Sequence, residues 1–361
     1  MKKVLALLLA LCMMFALCAC GQSAQPAPAQ QAAPAQEAAP AEEAAPAEEA
    51  APAADQPLTK VTICGTNGIG DTQSIAHQNF ADYLNALGGW DAVAMVSSEM
   101  GSTDDVLEQA MAGAAVTAAT DPARIAAYVP GIGILMMPYM FDSYDQLDSL
   151  MTTDLYKEWC SDLRDQGLVL LTNNGITGFR MYVTNKPING PEDLKGLKIR
   201  TMGSTIALNS INAMGAIATP LNQSEAYNAI ETGVVDGGEW QIPTIYSLRL
   251  YEVCDHISLT KHFLLTCSIV TGSKWFDTLS EKQQTEMEEL AVKAYGETKD
   301  MVLEYEQKYL DEMQANGVTV VEPDIEAFKA ATADLYADPD TTGGVDFLAL
   351  REELYAQMGL K

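Results

Sequence analysis

Pro34, Pro40, Pro46 and Pro52 recur every six residues, the first three within a repeated hexad, AAPAQE then AAPAEE twice, that runs from Ala32 to Glu49. Each proline removes an amide donor and clashes with the turn before it, so the helix that alanine and glutamate favour cannot propagate. Residues 21–57 contain no aromatic side chain and cannot build a core. They read as an extended, self-repelling tether whose upper reach is about 110 Å at roughly 3.1 Å per residue. Any fold must therefore come from residues 58–361, about 300 residues, enough for a large core and better suited to two lobes than to one.

Ahead of the tether, Met1-Lys2-Lys3 supplies a positive start and Val4 to Leu17 an apolar run. That run is about 14 residues, short of the roughly 20 needed to span a bilayer, so residues 1–19 read as a cleaved export signal. Leu17-Cys18-Ala19-Cys20 resembles a bacterial lipobox, which implies lipidation of Cys20; an ordinary signal peptide with a coincidental cysteine is the alternative. The formal charge of −28 makes nucleic acid an unsuitable partner. A small anion is not excluded, because a few arginines in one cleft outweigh a diffuse surface charge.

Four cysteines belong to the folded body: Cys64, Cys160, Cys254 and Cys267. No CxxC occurs, and His77, His256 and His262 are not at metal-ligand spacing, so no zinc site and no cofactor is expected. Disulfide pairing is left open by the spacing.

Along the body, strand and helix patterns alternate. Leu58 to Cys64 reads as a buried strand, followed by the loop Gly65-Thr66-Asn67-Gly68-Ile69-Gly70 and a helix through Phe80, Tyr83 and Leu84. The glycine order is GxxGxG, with no phosphate-loop lysine, so a nucleotide site is poorly supported. A second strand covers Ala92 to Val96, Thr103 caps a helix ended by Gly113, and Ala114 to Ala119 is a third strand leading to Asp121-Pro122. Further strands are expected over Leu168–Thr172, Arg180–Thr184 and Leu197–Thr201. This alternation predicts an α/β fold with mostly parallel strands. Ser280 to Asn316 predicts one long helix, about 55 Å at 1.5 Å per residue, with a Ser280/Gln283 capping box, a stop at Gly317 and a bend at Gly296.

Four segments carry a family resemblance. Gly178-Phe179-Arg180 precedes a strand and Asn185-Lys186-Pro187-Ile188; Gly190-Pro191-Glu192-Asp193-Leu194-Lys195-Gly196-Leu197-Lys198-Ile199-Arg200 follows. Thr219-Pro220 with Glu225 and Tyr227, and then Gly233-Val234-Val235-Asp236-Gly237-Gly238-Glu239, complete the set. In this order they resemble the DctP-type substrate-binding proteins of tripartite ATP-independent periplasmic (TRAP) transporters, across nearly the whole body. The resemblance implies a two-lobed periplasmic-binding-protein-like clamp with a cleft between lobes and a long helix spanning both. Its lobes would be approximately 58–177 plus 266–305, and 178–265 plus 306–361.

The resemblance also implies that Arg200 forms a bidentate ion pair with a ligand carboxylate, assisted by Arg180. A planar guanidinium suits this because its paired donors match carboxylate geometry. Two departures from many relatives, Gln223 and Trp240, imply a different pocket: Trp240 as a wall against a sugar acid, or packed under the floor. Glu239 would orient Arg200, ligate a cation accompanying the ligand, or serve only as a cap or hinge. Asn67 and Asp121 sit on loops that should face the cleft, though both types also cap helices and form turns.

The function implied is capture of a small organic acid (a uronate, a C4-dicarboxylate, or a 2-oxo or 2-hydroxy acid) and its delivery to small and large TRAP membrane subunits driven by an ion gradient. The protein would be anchored on the outer face of the cell membrane or lie in the periplasm. A sensory subunit using the same clamp is an alternative that sequence cannot separate. An extracellular enzyme on sugar acids is disfavoured because no GxSxG or Cys/His arrangement occurs. A lipid-anchored structural protein leaves Arg180 and Arg200 unexplained.

Overall fold

The computed structural model describes residues 57–360. The export signal over 1–19, Cys20 and the repeat-bearing tether lie outside the described residues.

Eleven strands are formed among the described residues: β1 (Thr59–Cys64), β2 (Trp90–Met95), β3 (Val116–Thr120), β4 (Leu168–Phe179), β5 (Met181–Thr184), β6 (Lys198–Thr201), β7 (Ile217–Pro220), β8 (Gly237–Trp240), β9 (His256–Ser258), β10 (Leu264–Gly272) and β11 (Thr319–Val321). The opening unit forms as its sequence demands. Val61 and Ile63 alternate inward on β1, and Asp71 accepts from the Gln73 amide to cap helix α1 (Thr72–Ala86). Phe80 and Leu84, four residues apart, bury one face of α1 completely. Helix α2 (Thr103–Ala112) is capped by Ser102 rather than by Thr103. The reason is the acid at the third helical position: Asp105 returns a bond to the Ser102 amide and completes a capping box.

Two sheets result. The first has the order β2-β1-β3-β10-β4 and the second β11-β9-β5-β8-β6-β7. The expectation of mostly parallel strands holds, with one reversed strand in each sheet, β10 in the first and β5 in the second. β1 pairs parallel with β2 and β3, but β10 runs antiparallel to β3 and β4. In the second sheet β5 is antiparallel to β8 and β9, whereas β6 is parallel to β7 and β8. The physical cause lies in two connections that pass from sheet to sheet instead of returning through a helix. Chain leaving β4 enters β5 through Arg180 alone, and chain leaving β9 reaches β10 through residues 259–263. The Arg180 amide donates to the Phe263 carbonyl at 2.8 Å, so the two crossings are bonded to each other.

A third crossing is helical. The expected single helix is two, Glu281–Gly296 and Thr298–Ala315, interrupted at Glu297. Ser280 and Gln283 do form the capping box. The break falls one residue after Gly296 and has a specific cause. The Thr298 hydroxyl donates to the Tyr295 carbonyl and accepts from the Ile176 amide of β4, tying the helix to the sheet where it changes course. Glu297 accepts from Tyr83 and Asn79 of α1 at the same place.

One large apolar cluster is shared by the two sheets, joining Val116 and Leu168 to Val183 and Ile257, and each sheet has a smaller cluster of its own. Ile63, Phe80, Leu84, Met287 and Tyr295 lie under the first; Tyr182, Leu194, Ile199 and Phe328 lie under the second. Cys64, Cys160, Cys254 and Cys267 are all free thiols. Burial pushes the thiols of Cys64 and Cys254 up to about 12.

The closest backbone approach is at Gly272, where β10 ends against α2. A Cβ there would stand 1.8 Å from the Ala110 carbonyl oxygen. Gly272→Ala is therefore expected to lower stability by about 1–3 kcal/mol through forced displacement of α2. A urea midpoint equal to wild type would show that the contact yields freely.

Candidate functional site

The carboxyl ends of β1, β3, β6, β7 and β8 converge on one cavity of about 270 Å³. Ligands of α/β proteins gather at such ends because loops there expose backbone amides and place short polar side chains. The first sheet contributes Asn67 after β1 and Thr120 and Asp121 at the end of β3. The second contributes Arg200 on β6, Gln223 after β7 and Gln241 after β8.

Three arginines border this cavity, and they differ in how their charge is compensated. Arg124 donates to Asp121 at 2.8 Å and to Asp104 at 3.1 Å. Burial alone would lower its pKa, but those two carboxylates together raise it. Arg180 is buried against Glu239, with its Nη2 donating to Glu239 Oε1 at 2.6 Å, its Nε to Oε2 and its Nη2 also to the Glu239 carbonyl. Burial first and Arg200 second press its pKa down, and the touching carboxylate holds the charge in place.

Arg200 has no carboxylate partner among the described residues. It is 5 % exposed, and its Nε donates to the Leu221 carbonyl at 3.0 Å. Burial, then the Arg124 charge, pushes its pKa down to about 9, which still leaves it charged at neutral pH. Its guanidinium carbon lies 4.8 Å from the centroid of the Trp240 ring. The indole thus supports the guanidinium by cation–π attraction.

Of the sequence-derived candidates, Arg200, Arg180, Gln223, Asn67 and Asp121 are brought to the cavity and Glu239 and Trp240 are not. Trp240 as a cavity wall is corrected: the indole is 0 % exposed and backs Arg200. It fits because residue 238 is glycine, where a Cβ would stand 2.2 Å from Trp240 Cζ3. Glu239 does not line the cavity, and its carboxylate is engaged by Arg180 rather than Arg200. Its carboxylate accepts from Arg180 and from Thr201 Oγ1 at 2.6 Å, with His262 Nε2 at 3.5 Å. Asp121 faces the cavity and also caps the short helix α3 (Pro122–Ile125), accepting from the Arg124 amide at 3.0 Å.

Two hydrogen bonds link the walls. Gln223 Nε2 donates to Asn67 Oδ1 at 3.1 Å, and Asn67 is itself oriented by donating from Nδ2 to Asp71 Oδ1 at 2.8 Å. Thr244 Oγ1 donates to Asp71 Oδ2 at 2.9 Å. Burial raises the Asp71 pKa, partly offset by these donors.

Sequence reasoning missed Arg124, Thr120 and Gln241. Thr120 Oγ1 and Gln241 Nε2 are buried and have no hydrogen-bond partner among the described residues. A buried amide or hydroxyl without a partner costs about 1–3 kcal/mol, and both belong to residues that border the cavity. Arg124 was legible in principle: it stands three residues after the Asp121-Pro122 helix start, where its side chain folds back on the cap.

Residues 66–340 match the profile of the family described as bacterial extracellular solute-binding protein, family 7 (DctP). A solute-binding protein of Chromohalobacter salexigens is 31% identical over 239 residues, covering 66% of this chain and 71% of that protein. The 2,3-diketo-L-gulonate-binding periplasmic protein of Escherichia coli is 28% identical over 295 residues, covering 79% and 88%. Among solved structures, a TRAP periplasmic solute-binding protein of Actinobacillus succinogenes with bound L-galactonate superposes with a TM-score of 0.78. It is 27% identical, with 83% of this chain and 99% of that one covered. All three are binding proteins.

Removing the Glu239 charge should leave Arg180 buried and uncompensated. Glu239→Gln is expected to cost about 3–5 kcal/mol in unfolding free energy, against less than about 0.5 kcal/mol for Glu225→Gln on the surface. Equal losses in the two variants, measured by denaturant unfolding, would contradict the pairing.

Proposed function

Because the chain belongs to the DctP family of bacterial extracellular solute-binding proteins, we propose that it captures a small hydroxylated monocarboxylate and delivers it to an ion-gradient-driven TRAP membrane complex. The observation that carries this reading is the charge balance around the cavity. Arg124 is matched by Asp121 and Asp104, Arg180 is matched by Glu239, and Arg200 alone is left for a ligand anion.

A carboxylate set against Arg200 takes both outer guanidinium nitrogens, because the Nε is already engaged by Leu221. It also restores the pKa that burial has pushed down, so binding and protonation of the guanidinium support each other. Beyond the carboxylate, Thr120 Oγ1, Gln241 Nε2 and Asn67 suit hydroxyl or oxo groups. L-Galactonate and 2,3-diketo-L-gulonate, the acids named for two relatives, have this layout.

The protein acts as a carrier without turnover. His77 and His262 are fully buried away from the cavity, His77 against the carbonyls of Gln73 and Cys64. Neither is placed to serve a nucleophile at the ligand. Cys20 supplies the lipid anchor, and residues 20–57 the tether that lets the body reach the membrane subunits.

The test is ligand-induced stabilisation of residues 58–361 against a panel of uronates, aldonates, C4-dicarboxylates, and 2-oxo and 2-hydroxy acids. An acid present at 100 times its dissociation constant should stabilise by about 2.7 kcal/mol. Arg200→Ala should weaken that acid by about 2–5 kcal/mol, with the variant folded. Undiminished binding to Arg200→Ala would overturn the carboxylate assignment. A response to dicarboxylates only would overturn the monocarboxylate class while leaving the clamp intact.

A further inference from the structure

A second cavity of about 290 Å³ adjoins the first, and Arg124 is the one described residue that borders both. Three chain segments run from one to the other. On α2, Thr103 borders the first cavity and Asp104 the second; on α3, Asp121 borders the first and Ala123 the second. In the loop after β6, Met202 borders the first and Gly203 the second. The same segments therefore border the two cavities on either side of Arg124, whose side chain borders both. That side chain is held in place by ion pairs at its two ends of the guanidinium, to Asp104 through Nε and to Asp121 through Nη1.

The second cavity differs in chemistry from the first. Leu107, Ala123, Ala126 and Ile206 give it more apolar surface than the first, beside the hydroxyl residues Ser204 and Thr205 at the start of the next helix and Thr341 and Thr342. Its carboxylates, Asp104 and Asp340, would repel a second acid group, and the charge of Arg124 is already matched. A neutral, hydroxyl-bearing tail fits these walls.

We propose that the two cavities are compartments of one groove and that Arg124 is a partition that limits ligand length, shutting out acids whose neutral tail would extend past it. This rests on the reading that Arg200 holds the carboxylate, which sets the end from which length is measured. Arg124 acts here as a specificity-determining residue: the bulk of its unbranched side chain decides which tail is admitted. Arg124→Ala removes the bulk and joins the compartments. Arg124→Met removes the charge but keeps an unbranched side chain across the groove.

The experiment compares D-gluconate with lactobionate, the same aldonate carrying a galactosyl group on O4, by calorimetric titration of wild type, Arg124→Ala and Arg124→Met. Wild type should favour gluconate by about tenfold or more, and Arg124→Ala should shift the ratio of the two affinities toward lactobionate by about tenfold or more. Arg124→Met should keep a ratio close to wild type. Adding Ala127→Phe, at the exposed border of the second compartment, to Arg124→Ala should abolish the shift. Ligand-free thermal unfolding verifies that each variant is folded.

An unchanged ratio in folded Arg124→Ala overturns the proposal, as does an equal shift in Arg124→Met or equal affinity of wild type for both acids. If neither aldonate binds any variant while another monocarboxylate of the panel does, the tail assignment is overturned and the Arg200 reading survives. If no acid of the panel binds at all, the Arg200 reading itself is what has failed.

Discussion

The buried pair of Arg180 and Glu239 ties the molecule together. Arg180 is the single residue between β4 and β5, so its position determines how the first sheet hands the chain to the second. Its amide binds the other crossing at Phe263, and its side chain binds β8 through Glu239. Taking two such charges out of water costs several kcal/mol per ion, and the pair is tenable only because its hydrogen bonds are nearly all made. Arg180 donates to both carboxylate oxygens and to the Glu239 carbonyl, and Thr201 donates to the same carboxylate. The crossing between the sheets is thereby held at its centre.

That pairing also decides what the neighbouring arginine is free to do. Since Glu239 is committed to Arg180, Arg200 keeps its charge uncompensated, with the Trp240 ring beneath it and Leu221 holding its Nε. A desolvated guanidinium held in this way is prepared for a planar carboxylate before the ligand arrives, so little ordering remains to be done on binding. The Gln223–Asn67 bond joins the two walls without any ligand atom, and Asp71 holds Asn67 and Thr244 together behind it. Such contacts hold the two walls together, and a ligand reaching both would add to the same bias.

Much of this was legible in the sequence, for reasons that differ by element. The strand, glycine loop and helix at 59–86 follow from local alternation and an Asp71 cap, both short-range signals. Arg200 and Arg180 were found through the resemblance, which preserves order and spacing. The reversal of β5 and β10 was not legible, because the handover at Arg180 involves a single residue and leaves no mark on hydropathy. The interruption after Gly296 depends on Thr298 meeting Ile176, a contact between positions far apart in the chain. Trp240 and Glu239 were placed in the motif but not in space: alternation along β8 does not say which face a neighbouring arginine will cover. Gln241 and Thr120 carry no pattern at all, and only their lack of partners in the folded chain sets them apart.

The most direct measurement is a crystal structure of residues 58–361 with a bound monocarboxylate. The charge balance predicts its carboxylate lying over the Trp240-backed guanidinium, with both oxygens about 2.7–2.9 Å from the outer nitrogens of Arg200, and a hydroxyl or oxo group within hydrogen-bond reach of Gln241 Nε2. A carboxylate bound instead to Arg124, with Arg200 untouched, would contradict it.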